Sequence, residues 1–314
     1  MSAIVTITLN PAVDISSTIG KVTAGAKLRC AAPLVDPGGG GLNVSRAIQI
    51  LGGTSTAFLE LGGSPGRRLA ALLQSEGITT RIFPLSGETR QNFAITETST
   101  GKQYRFMMPG PDWSPEMANG VLDEIKETVA PNNIVVISGS LPPGLPDDYL
   151  STLIAMLRAK PATVILDTSG APLRHLVEHP AGVDFLRLDR GEAEDLAGHA
   201  LETRADSAGF ATGLIDAGVA DTVLVAHGAD GTSLISATQR FHCSRAVSRV
   251  VSAVGAGDSF VAGFTLALSR GLPMPQALRH GTAAASAAVL TKATRLCRRE
   301  DADRFLPDCE LTTI

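Results

Sequence analysis

The stretch that decides the fold reads Val-Gly-Ala-Gly-Asp-Ser and spans residues 254–259. It lies between a β-like segment that ends near Val251 and an apolar helical pattern that starts near Phe260. Its two glycines allow a tight turn, and the N–H groups that open a helix are unpaired and lie at the positive end of the helix dipole. The stretch therefore predicts a strand, a turn and a helix, with an anion site at the turn.

Asp258 is out of place in a simple anion site, because its carboxylate repels negative charge. A carboxylate at this position can instead act as a base on a hydroxyl that attacks a phosphoryl group. The alternative is an ordinary glycine-rich turn with an Asp-Ser helix cap. The stretch alone leaves both interpretations open.

Short apolar runs alternate with helical patterns along the rest of the chain. Residues 134–137, 163–166 and 222–225 resemble buried strands, and 147–160 and 205–217 have helical periodicity. This alternation predicts an α/β fold with a mainly parallel sheet covered on both faces. Ligands of such folds gather beyond the carboxyl ends of the strands. Several polar or glycine-rich segments follow directly on predicted strands there: Ser138-Gly139-Ser140, Asp167, Asp189 and His227-Gly228.

Two stretches, 12–36 and 88–108, lack helical periodicity. Residues 92–96 and 103–107 alternate as half-buried strands do, with Thr100-Gly101 as the turn between them. These stretches predict a small β-sheet beside the main domain; the alternative is a surface hairpin.

Composition excludes several classes of function. The chain has 314 residues, a formal net charge of −4 and 4% aromatic residues, so nucleic acid is not expected as a partner. No apolar run of membrane-spanning length and no signal-peptide pattern occurs, so no membrane association is expected. The four cysteines form no CxxC pair. We expect a cytoplasmic protein with reduced thiols.

A second glycine cluster, Pro-Gly-Gly-Gly-Gly-Leu-Asn, spans residues 37–43 and precedes a helix-like run from Val44 to Leu51. It lacks the Gly-Lys-Ser/Thr ending of a Walker A loop and the G-x-G-x-x-G pattern of a dinucleotide site. Close approach of backbone to a ligand is one reason for such a cluster. The alternative is a flexible loop.

Taken together, Asp14, the run 38–43 and the run 255–258 resemble the two signatures of the ribokinase-like, phosphofructokinase B carbohydrate kinase family. Further segments, among them 25–30, 89–92 and 137–144, are most similar to the bacterial minor 6-phosphofructokinase branch. The resemblance covers nearly the whole chain. It implies ATP-dependent phosphorylation of the free primary hydroxyl of a hexose phosphate, with fructose 6-phosphate favoured. Tagatose 6-phosphate and fructose 1-phosphate kinases remain alternatives.

The resemblance also implies an architecture: a ribokinase-like three-layer α/β/α sandwich with a mainly parallel central sheet and a small β-sheet lid. The main domain would comprise residues 1–11, 37–87 and 109–314, and the lid residues 12–36 and 88–108. A small sheet with one apolar face cannot bury that face alone, so we expect a C2 homodimer through the lids.

Residues on the sugar side follow from the same resemblance. Asp14 and Asn43 would bind sugar hydroxyls, and Arg90 would clamp the existing phosphate with its forked guanidinium. Each lone cation could otherwise be a solvated surface charge. The full set of expected sugar-phosphate ligands is Asp14, Lys27, Gly39, Gly40, Asn43, Arg90, Arg105 and Ser140.

Asp258 would be the catalytic base, and the N–H groups of Gly255, Ala256 and Gly257 would form the anion hole. Glu192 would hold Mg²⁺ through water, and Ser252 and Val254 would border a K⁺ site. The expected nucleotide-binding residues are Arg187, Asp189, Ala226, His227, Gly228, Gly231 and Ser286. Mg-ATP and K⁺ are thus the expected cofactors.

The nucleotide side departs from the family pattern. Arg187 and Asp189 replace a lysine and an asparagine, and Ala226 lacks the usual hydroxyl. His227 could stack on the nucleotide or be incidental. Thr291 and Ala293 replace residues expected near the K⁺ site. These changes leave open a donor other than ATP, or a non-catalytic regulator that only binds sugar phosphate. A second, inhibitory nucleotide contacting Lys27 is a further family property that they leave open.

Overall fold

Two β-sheets organise the chain, which the computed structural model describes over residues 2–292 and 295–314. The strands are β1 (Ile4–Thr8), β2 (Ala12–Ile19), β3 (Leu34–Gly38), β4 (Thr56–Leu61), β5 (Thr79–Pro84), β6 (Arg90–Glu97), β7 (Gln103–Phe106), β8 (Ile134–Ser138), β9 (Thr163–Asp167), β10 (Val183–Leu188), β11 (Ala220–Ala226), β12 (Thr232–Ser236), β13 (Arg240–Ser244) and β14 (Glu310–Thr313). Ala293, at which the sequence departs from the family pattern, lies outside the described residues.

The α-helices are α1 (Gly40–Ile50), α2 (Gly63–Ser75), α3 (Pro115–Thr128), α4 (Tyr149–Arg158), α5 (Ala171–Glu178), α6 (Arg190–Ala197), α7 (Arg204–Asp216), α8 (Ala256–Ser269), α9 (Met274–Ala288) and α10 (Arg299–Phe305). No helix within the described ranges is both long enough and apolar enough to cross a bilayer.

The larger sheet has ten strands in the order β14-β13-β12-β11-β10-β9-β8-β1-β4-β5. Neighbouring strands from β11 to β5 in this order run parallel, whereas β12, β13 and β14 are added antiparallel at one edge. The predicted mainly parallel sheet is therefore confirmed. The predicted buried runs at 134–137, 163–166 and 222–225 lie in β8, β9 and β11.

Helices cover both faces of this sheet, which explains why its strands are apolar without alternation. In β8, Val135 and Ile137 pack with α3 and α4, and Ile134 and Val136 pack with α1 and α8 on the opposite face. Successive side chains of a strand point to opposite faces, so a strand in the middle layer must be apolar at every position. The three-layer α/β/α architecture expected from the sequence is confirmed.

The smaller sheet has the order β3-β2-β6-β7. Strand β2 pairs parallel with β6, and the register aligns Asp14 with Asn92. Strands β6 and β7 form a hairpin whose turn contains Thr100 and Gly101, with the Gly101 N–H donating to the Glu97 carbonyl at 2.8 Å. Strand β3 runs to Gly38 and leads directly into α1.

The predicted strand ending near Val251 is wrong. The strand that precedes residues 254–259 is β13. Residues 245–255 form a loop in which Val250 and Val251 are exposed. The Val251 N–H donates to the Val289 carbonyl at the end of α9, not to a strand. Helices α1 and α8 also begin earlier than predicted, at Gly40 and at Ala256. The glycine-rich stretches themselves form the first turns of these two helices.

Candidate active site

The stretch 254–259 forms a turn and the first turn of α8, at the carboxyl edge of the larger sheet. Gly255 caps the helix with a left-handed φ of 80°, a conformation that favours glycine. Its carbonyl accepts the first helical hydrogen bond, from the Ser259 N–H at 3.0 Å. The Ala256 N–H donates to the Ala253 carbonyl at 3.3 Å, and the turn lies at a helix N-terminus, where anions are stabilised.

Asp258 lies in this first helical turn and is hydrogen-bonded across the cleft. The Asn43 Nδ2 group, on α1, donates to Asp258 Oδ2 at 2.9 Å. Burial of the Asp258 carboxyl, reinforced by the negative charge of Asp167, raises its pKa to about 7, against the opposing effects of Asn43 and Arg187. A carboxyl with a pKa near neutrality is suited to accept a proton at physiological pH.

Arg187 provides a positive charge beneath the turn that precedes α8, within residues 254–259. Its Nη1 atom is 3.2 Å from Asp167 Oδ1 in an almost buried ion pair, and Asp167 also accepts from the Ser138 hydroxyl at 3.4 Å. Burial alone would lower the pKa of Arg187, but Asp167, Glu192 and Asp189 outweigh it and raise that pKa. A Cβ on Gly257 would lie 3.2 Å from Arg187 Nη2, so this guanidinium packs directly on the backbone of the predicted anion hole.

The second glycine cluster forms the N-terminus of α1, opposite the turn that precedes α8. Gly39 caps the helix with a φ of 123°, which disfavours any other residue. A Cβ on Gly40 would collide with the Ser138 hydroxyl at the end of β8. These contacts, and not loop flexibility, explain the glycines: they let α1 approach the strand ends closely.

The smaller sheet presents polar side chains on one face. Its register places Asp14, Asp36, Arg90, Asn92 and Arg105 on the same side. Asn92 Nδ2 donates to Asp14 Oδ1 at 2.9 Å. Burial raises the pKa of Asp14, although Asn92, Arg90 and Arg105 favour its ionised form.

The three predicted phosphate-binding cations differ in their surroundings. Arg90 donates to the Asn10 carbonyl at 3.1 and 2.8 Å, to the Met108 carbonyl at 3.3 Å and to the Ser140 hydroxyl at 3.3 Å. Arg105 is exposed and borders the same small cavity as Asp14 and Asn92. Lys27 lies on the exposed loop between β2 and β3, and it makes no hydrogen bond or ion pair with any described residue. Most of the Arg90 donors are thus already engaged with the protein, whereas those of Arg105 are available.

A cavity of about 680 Å³ extends from the start of α8 along α9 and the ends of β10 and β11. It is bounded mainly by small and apolar side chains, and it shares Ala256 and Gly257 with the predicted anion hole. The other predicted nucleotide residues that line it are Arg187, Asp189, Ala226, Gly228, Gly231 and Ser286.

The His227 ring lies away from this cavity. Its Nε2 atom is 3.0 Å from the Ser233 hydroxyl, which in turn is 3.0 Å from Nδ1 of the buried His242. The histidine side chain therefore packs between β11 and β12, and stacking on a ligand would require it to leave this network.

Asp189 and Glu192 form a capping box at the start of α6. The Glu192 N–H donates to Asp189 Oδ1 at 2.8 Å, and the Asp189 N–H donates to Glu192 Oε2 at 2.7 Å. An aspartate caps a helix as well as an asparagine does, so the departure at 189 preserves the local structure. Burial raises the pKa of Glu192.

Ser252 and Val254 lie in the loop that precedes α8. The Val254 N–H donates to the Ser252 hydroxyl at 3.2 Å, and the Ser252 N–H donates to the Val289 carbonyl at 3.3 Å. This loop is thereby held against the C-terminal end of α9. In the part of the chain that the structure describes, no three carboxylate, histidine or cysteine side chains converge on a metal centre.

Three polar residues join the site without having been assigned a role from sequence. Asn92 donates a hydrogen bond to Asp14, and Asp167 forms an ion pair with Arg187. Asn10 donates to the Ser140 hydroxyl at 3.3 Å and to the Leu141 carbonyl at 3.2 Å. The position of Asp167 directly after a predicted strand was a signal for it, and the two asparagines became recognisable only through their partners.

Comparison with known proteins was consistent with this geometry. The family model described as pfkB family carbohydrate kinase matches residues 3–301. The chain is 41% identical over 302 residues to ATP-dependent 6-phosphofructokinase isozyme 2 of Mycobacterium tuberculosis, covering 96% of this chain and 88% of the relative. It is 32% identical over 308 residues to a 1-phosphofructokinase of Xanthomonas campestris, covering 97% and 94%.

The fold is also that of solved relatives. The crystal structure of phosphofructokinase-2 from Escherichia coli in complex with potassium has a TM-score of 0.92 and 32% identity, covering 98% of this chain and 99% of that one. A possible 1-phosphofructokinase from Thermotoga maritima has a TM-score of 0.84 and 26% identity, covering 99% of both. The chain belongs to the pfkB family of carbohydrate kinases.

Proposed function

We propose that this pfkB family member is an ATP-dependent kinase that transfers phosphate to the free primary hydroxyl of a hexose phosphate, with fructose 6-phosphate as its main substrate. One observation carries the proposal. Asp258 is half-buried at the N-terminus of α8, between the polar face of the smaller sheet and the cavity along α9, and Asn43 orients its carboxylate. A base, an anion site and two ligand spaces thus adjoin one another.

In the proposed reaction, Asp258 accepts the proton of the attacking hydroxyl. The amides of residues 255–257 and the Arg187 guanidinium balance the charge on the transferring phosphoryl group. Phosphoryl transfer of this kind needs positioning and charge stabilisation and no covalent enzyme intermediate. Mg²⁺ enters with ATP as part of the substrate, with Glu192 as its proposed partner through water.

On the sugar side, Asp14 and Asn43 are the proposed partners of the sugar hydroxyls. Arg105 is the better candidate for the existing phosphate of the substrate, because its donors are available, while Arg90 is largely committed to the Asn10 and Met108 carbonyls. Lys27 would have to move with its loop to take part. Gly39, Gly40 and Ser140 complete the proposed sugar site.

The preference for fructose 6-phosphate rests on the relatives. One relative, a 6-phosphofructokinase, is 41% identical to this chain, against 32% for a 1-phosphofructokinase. One Escherichia coli phosphofructokinase-2 structure was determined in complex with fructose-6-phosphate. We propose fructose 1-phosphate and tagatose 6-phosphate as the alternatives to be distinguished.

A substrate-by-donor matrix tests the proposal. Purified enzyme is assayed by coupled ADP release with fructose 6-phosphate, fructose 1-phosphate and tagatose 6-phosphate, each with Mg-ATP and Mg-GTP. We expect the highest kcat/KM for fructose 6-phosphate with ATP. A higher value for another sugar would replace the substrate, and absence of turnover with all of them would overturn the kinase proposal.

We propose K⁺ as an activator, with the loop around Ser252 and Val254 as its site, because a related phosphofructokinase-2 was crystallised with potassium. Replacing K⁺ by tetramethylammonium at constant ionic strength should then lower activity, and equal rates in both salts would remove the cation from the proposal. Ser286 and the glycines at 228 and 231 are the proposed nucleotide contacts along the cavity.

We further propose a cytoplasmic homodimer that associates through the smaller sheet. Phe106 of that sheet is exposed, with 51% of its surface accessible, on the face opposite Asp14 and Asn92, and all four cysteines are free thiols. A related phosphofructokinase-2 is described in a tetrameric inhibited form. Light scattering at micromolar concentration should give twice the monomer mass, and a monomer would contradict the proposal.

A further inference from the structure

Arg46, on α1, makes four hydrogen bonds that extend from Glu76 at the surface to Asn43, the partner of Asp258. Its Nε and Nη2 atoms donate to the two carboxylate oxygens of Glu76 at 2.6 and 2.8 Å. Its Nη1 atom donates to the Pro37 carbonyl at 3.2 Å and to Asn43 Oδ1 at 3.4 Å. The Arg46 side chain is only 12% exposed, so the guanidinium has little freedom once these bonds form.

The contact with Asn43 fixes the orientation of its amide. A carboxylamide can rotate so that either its oxygen or its nitrogen faces a neighbour. Because Arg46 can only donate, it holds the Asn43 oxygen on its own side and leaves the Nδ2 group facing Asp258 Oδ2. The opposite orientation would place the amide oxygen against the carboxylate, which repels it unless Asp258 is protonated.

We infer that Arg46 is a positioning residue for the catalytic base, acting through the Asn43 amide. The inference rests on the proposed function, in which Asp258 accepts the hydroxyl proton. The hydrogen-bond partners of Arg46 are Glu76, the Pro37 carbonyl and Asn43, and not Asp258 itself; its effect is to keep Asp258 oriented and ionised.

The same Nη1 atom also joins the base to the sugar-binding sheet. Pro37 belongs to β3 and pairs with Val13 of β2, the neighbour of Asp14. Arg46 therefore connects the strand pair that carries Asp14 to the amide that holds Asp258, while Glu76, just after α2, fixes the guanidinium from outside. A single side chain thus relates the position of the sugar site to that of the base.

Other charges act on Asp258 from the elements packed around it. Asp167 at the end of β9 and Asp14 on β2 favour its protonated form, while Arg187 on β10 and Asn43 on α1 favour the ionised form. Loss of the ordered Asn43 donor removes one of the two stabilising contacts, so the Asp258 pKa should rise. The acid limb of the pH–rate profile should then move to higher pH.

The experiment compares the wild type with Arg46→Met, Arg46→Lys and Glu76→Gln. We expect the acid limb of kcat for Arg46→Met to shift upward by roughly half to one pH unit, which is about a three- to ten-fold loss of rate on that limb. Glu76→Gln should give a smaller shift, because Arg46 is retained but held less firmly. Arg46→Lys should recover part of the profile, since an ammonium can still donate to Asn43.

Arg81→Met is the matched control. Arg81 also pairs with a glutamate, Glu124, but on β5 and away from the cleft. It should leave the pH profile unchanged even if it lowers the stability of the fold. A uniform fall of kcat at all pH values for Arg46→Met, with the acid limb in place, would reduce Arg46 to a structural residue and overturn the inference.

A direct titration separates this inference from the proposed function. The Asp258 carboxyl is followed by ¹³C NMR and assigned by its absence in Asp258→Asn. An upward shift of its titration in Arg46→Met supports the positioning role whether or not the protein is an active kinase, and an identical titration in both proteins contradicts it. Absence of kinase activity in the wild type would instead count against the proposed function alone.

Discussion

The proposed sugar side of the cleft is made of polar side chains that bind one another, whereas the proposed nucleotide side consists largely of backbone and small residues with a few arginines. On the first side, Asn92 holds Asp14 and Asn43 holds Asp258, each at 2.9 Å. On the second, glycines, alanines and valines make up much of the cavity wall, together with Arg187, Arg190 and Arg245, and the acidic residues near it cap α6.

Two departures from the family pattern fit this difference, whereas a third, Arg187, is paired with Asp167. A side chain that hydrogen-bonds to another functional side chain cannot change without leaving a buried polar group unpaired. A residue that contributes mainly its backbone or its small size can change more freely. The departures at Asp189 and Ala226 both lie on the nucleotide side, and the first is absorbed by a capping box. Substitutions on the two sides should therefore differ greatly in effect.

The largest effect is expected for Asp258→Asn. Loss of the base should lower kcat by about 10²- to 10⁴-fold, while the dissociation constant of the sugar phosphate changes little. Steady-state kinetics and calorimetric titration with fructose 6-phosphate measure the two quantities. Asp123→Asn, an exposed change on α3, is the control. Near-normal turnover of purified Asp258→Asn would remove Asp258 as the base.

Arg187 is the one nucleotide-side residue with a large expected effect, because it is paired with Asp167 under the anion hole. Arg187→Met should lower kcat about 10²-fold, since a phosphoryl-stabilising charge is lost and Asp167 is left unpaired. Arg187→Lys should retain most of the rate. If both variants behave alike, the charge of Arg187 is not what matters, and the contrast between the two sides is weakened.

The two lid arginines should separate binding from stability. Arg105→Gln should raise KM for the sugar phosphate about ten-fold with a similar kcat, because an available phosphate donor is lost. Arg90→Gln should chiefly lower Tm, since it removes the bonds to the Asn10 and Met108 carbonyls. The reverse result would return Arg90 to the role of phosphate clamp.

The wild-type pH profile follows from the pKa of Asp258, which is raised to about 7. A base works when ionised, so kcat should fall about ten-fold per pH unit below pH 7. The same shift destabilises the fold as pH rises from about 4 to 7, because over this range the unfolded chain ionises the Asp258 carboxyl while the folded state still holds the proton. Asp258→Asn should thus gain more Tm at pH 8 than at pH 5, and equal gains would contradict the raised pKa.

The smallest effects are expected on the nucleotide side. Asp189→Asn should preserve the cap of α6 and change KM for ATP by less than about three-fold. Ala226→Ser, which restores the hydroxyl usual in the family, should likewise have a small effect. A ten-fold change in KM for ATP in either variant would show that side chains, and not only backbone, determine donor binding here.

Much of the site could be predicted from sequence because glycine runs are costly and local. The runs at 38–41 and 255–257 marked two helix N-termini, and the structure places both at the sheet edge. The strand predicted before the second run was wrong, since the adjacent Val250 and Val251 are exposed in a loop whose backbone donates to the Val289 carbonyl at the end of α9. Periodicity alone cannot tell an exposed loop from a strand.

The roles of single polar residues were harder to predict, because they depend on partners distant in the chain. Arg90 has the residue type of a phosphate clamp, yet the fold brings the Asn10 and Met108 carbonyls against it. His227 has the position of a nucleotide contact, yet Ser233 and His242 hold its ring elsewhere. The sequence shows which side chains can donate or accept hydrogen bonds, but it does not show which of them pair with one another.

The sequence by itself determined the family, the parallel sheet and the two glycine-rich helix starts, because uninterrupted apolar strands and left-handed turns constrain the residues that form them directly. Only the tertiary structure decided which charges meet in the cleft. Asn43 and Asp258 are separated by most of the chain, and Arg46 reaches Asp258 only through Asn43. Burial, a property of the whole fold, then gives Asp258 the pKa of about 7 that suits a base.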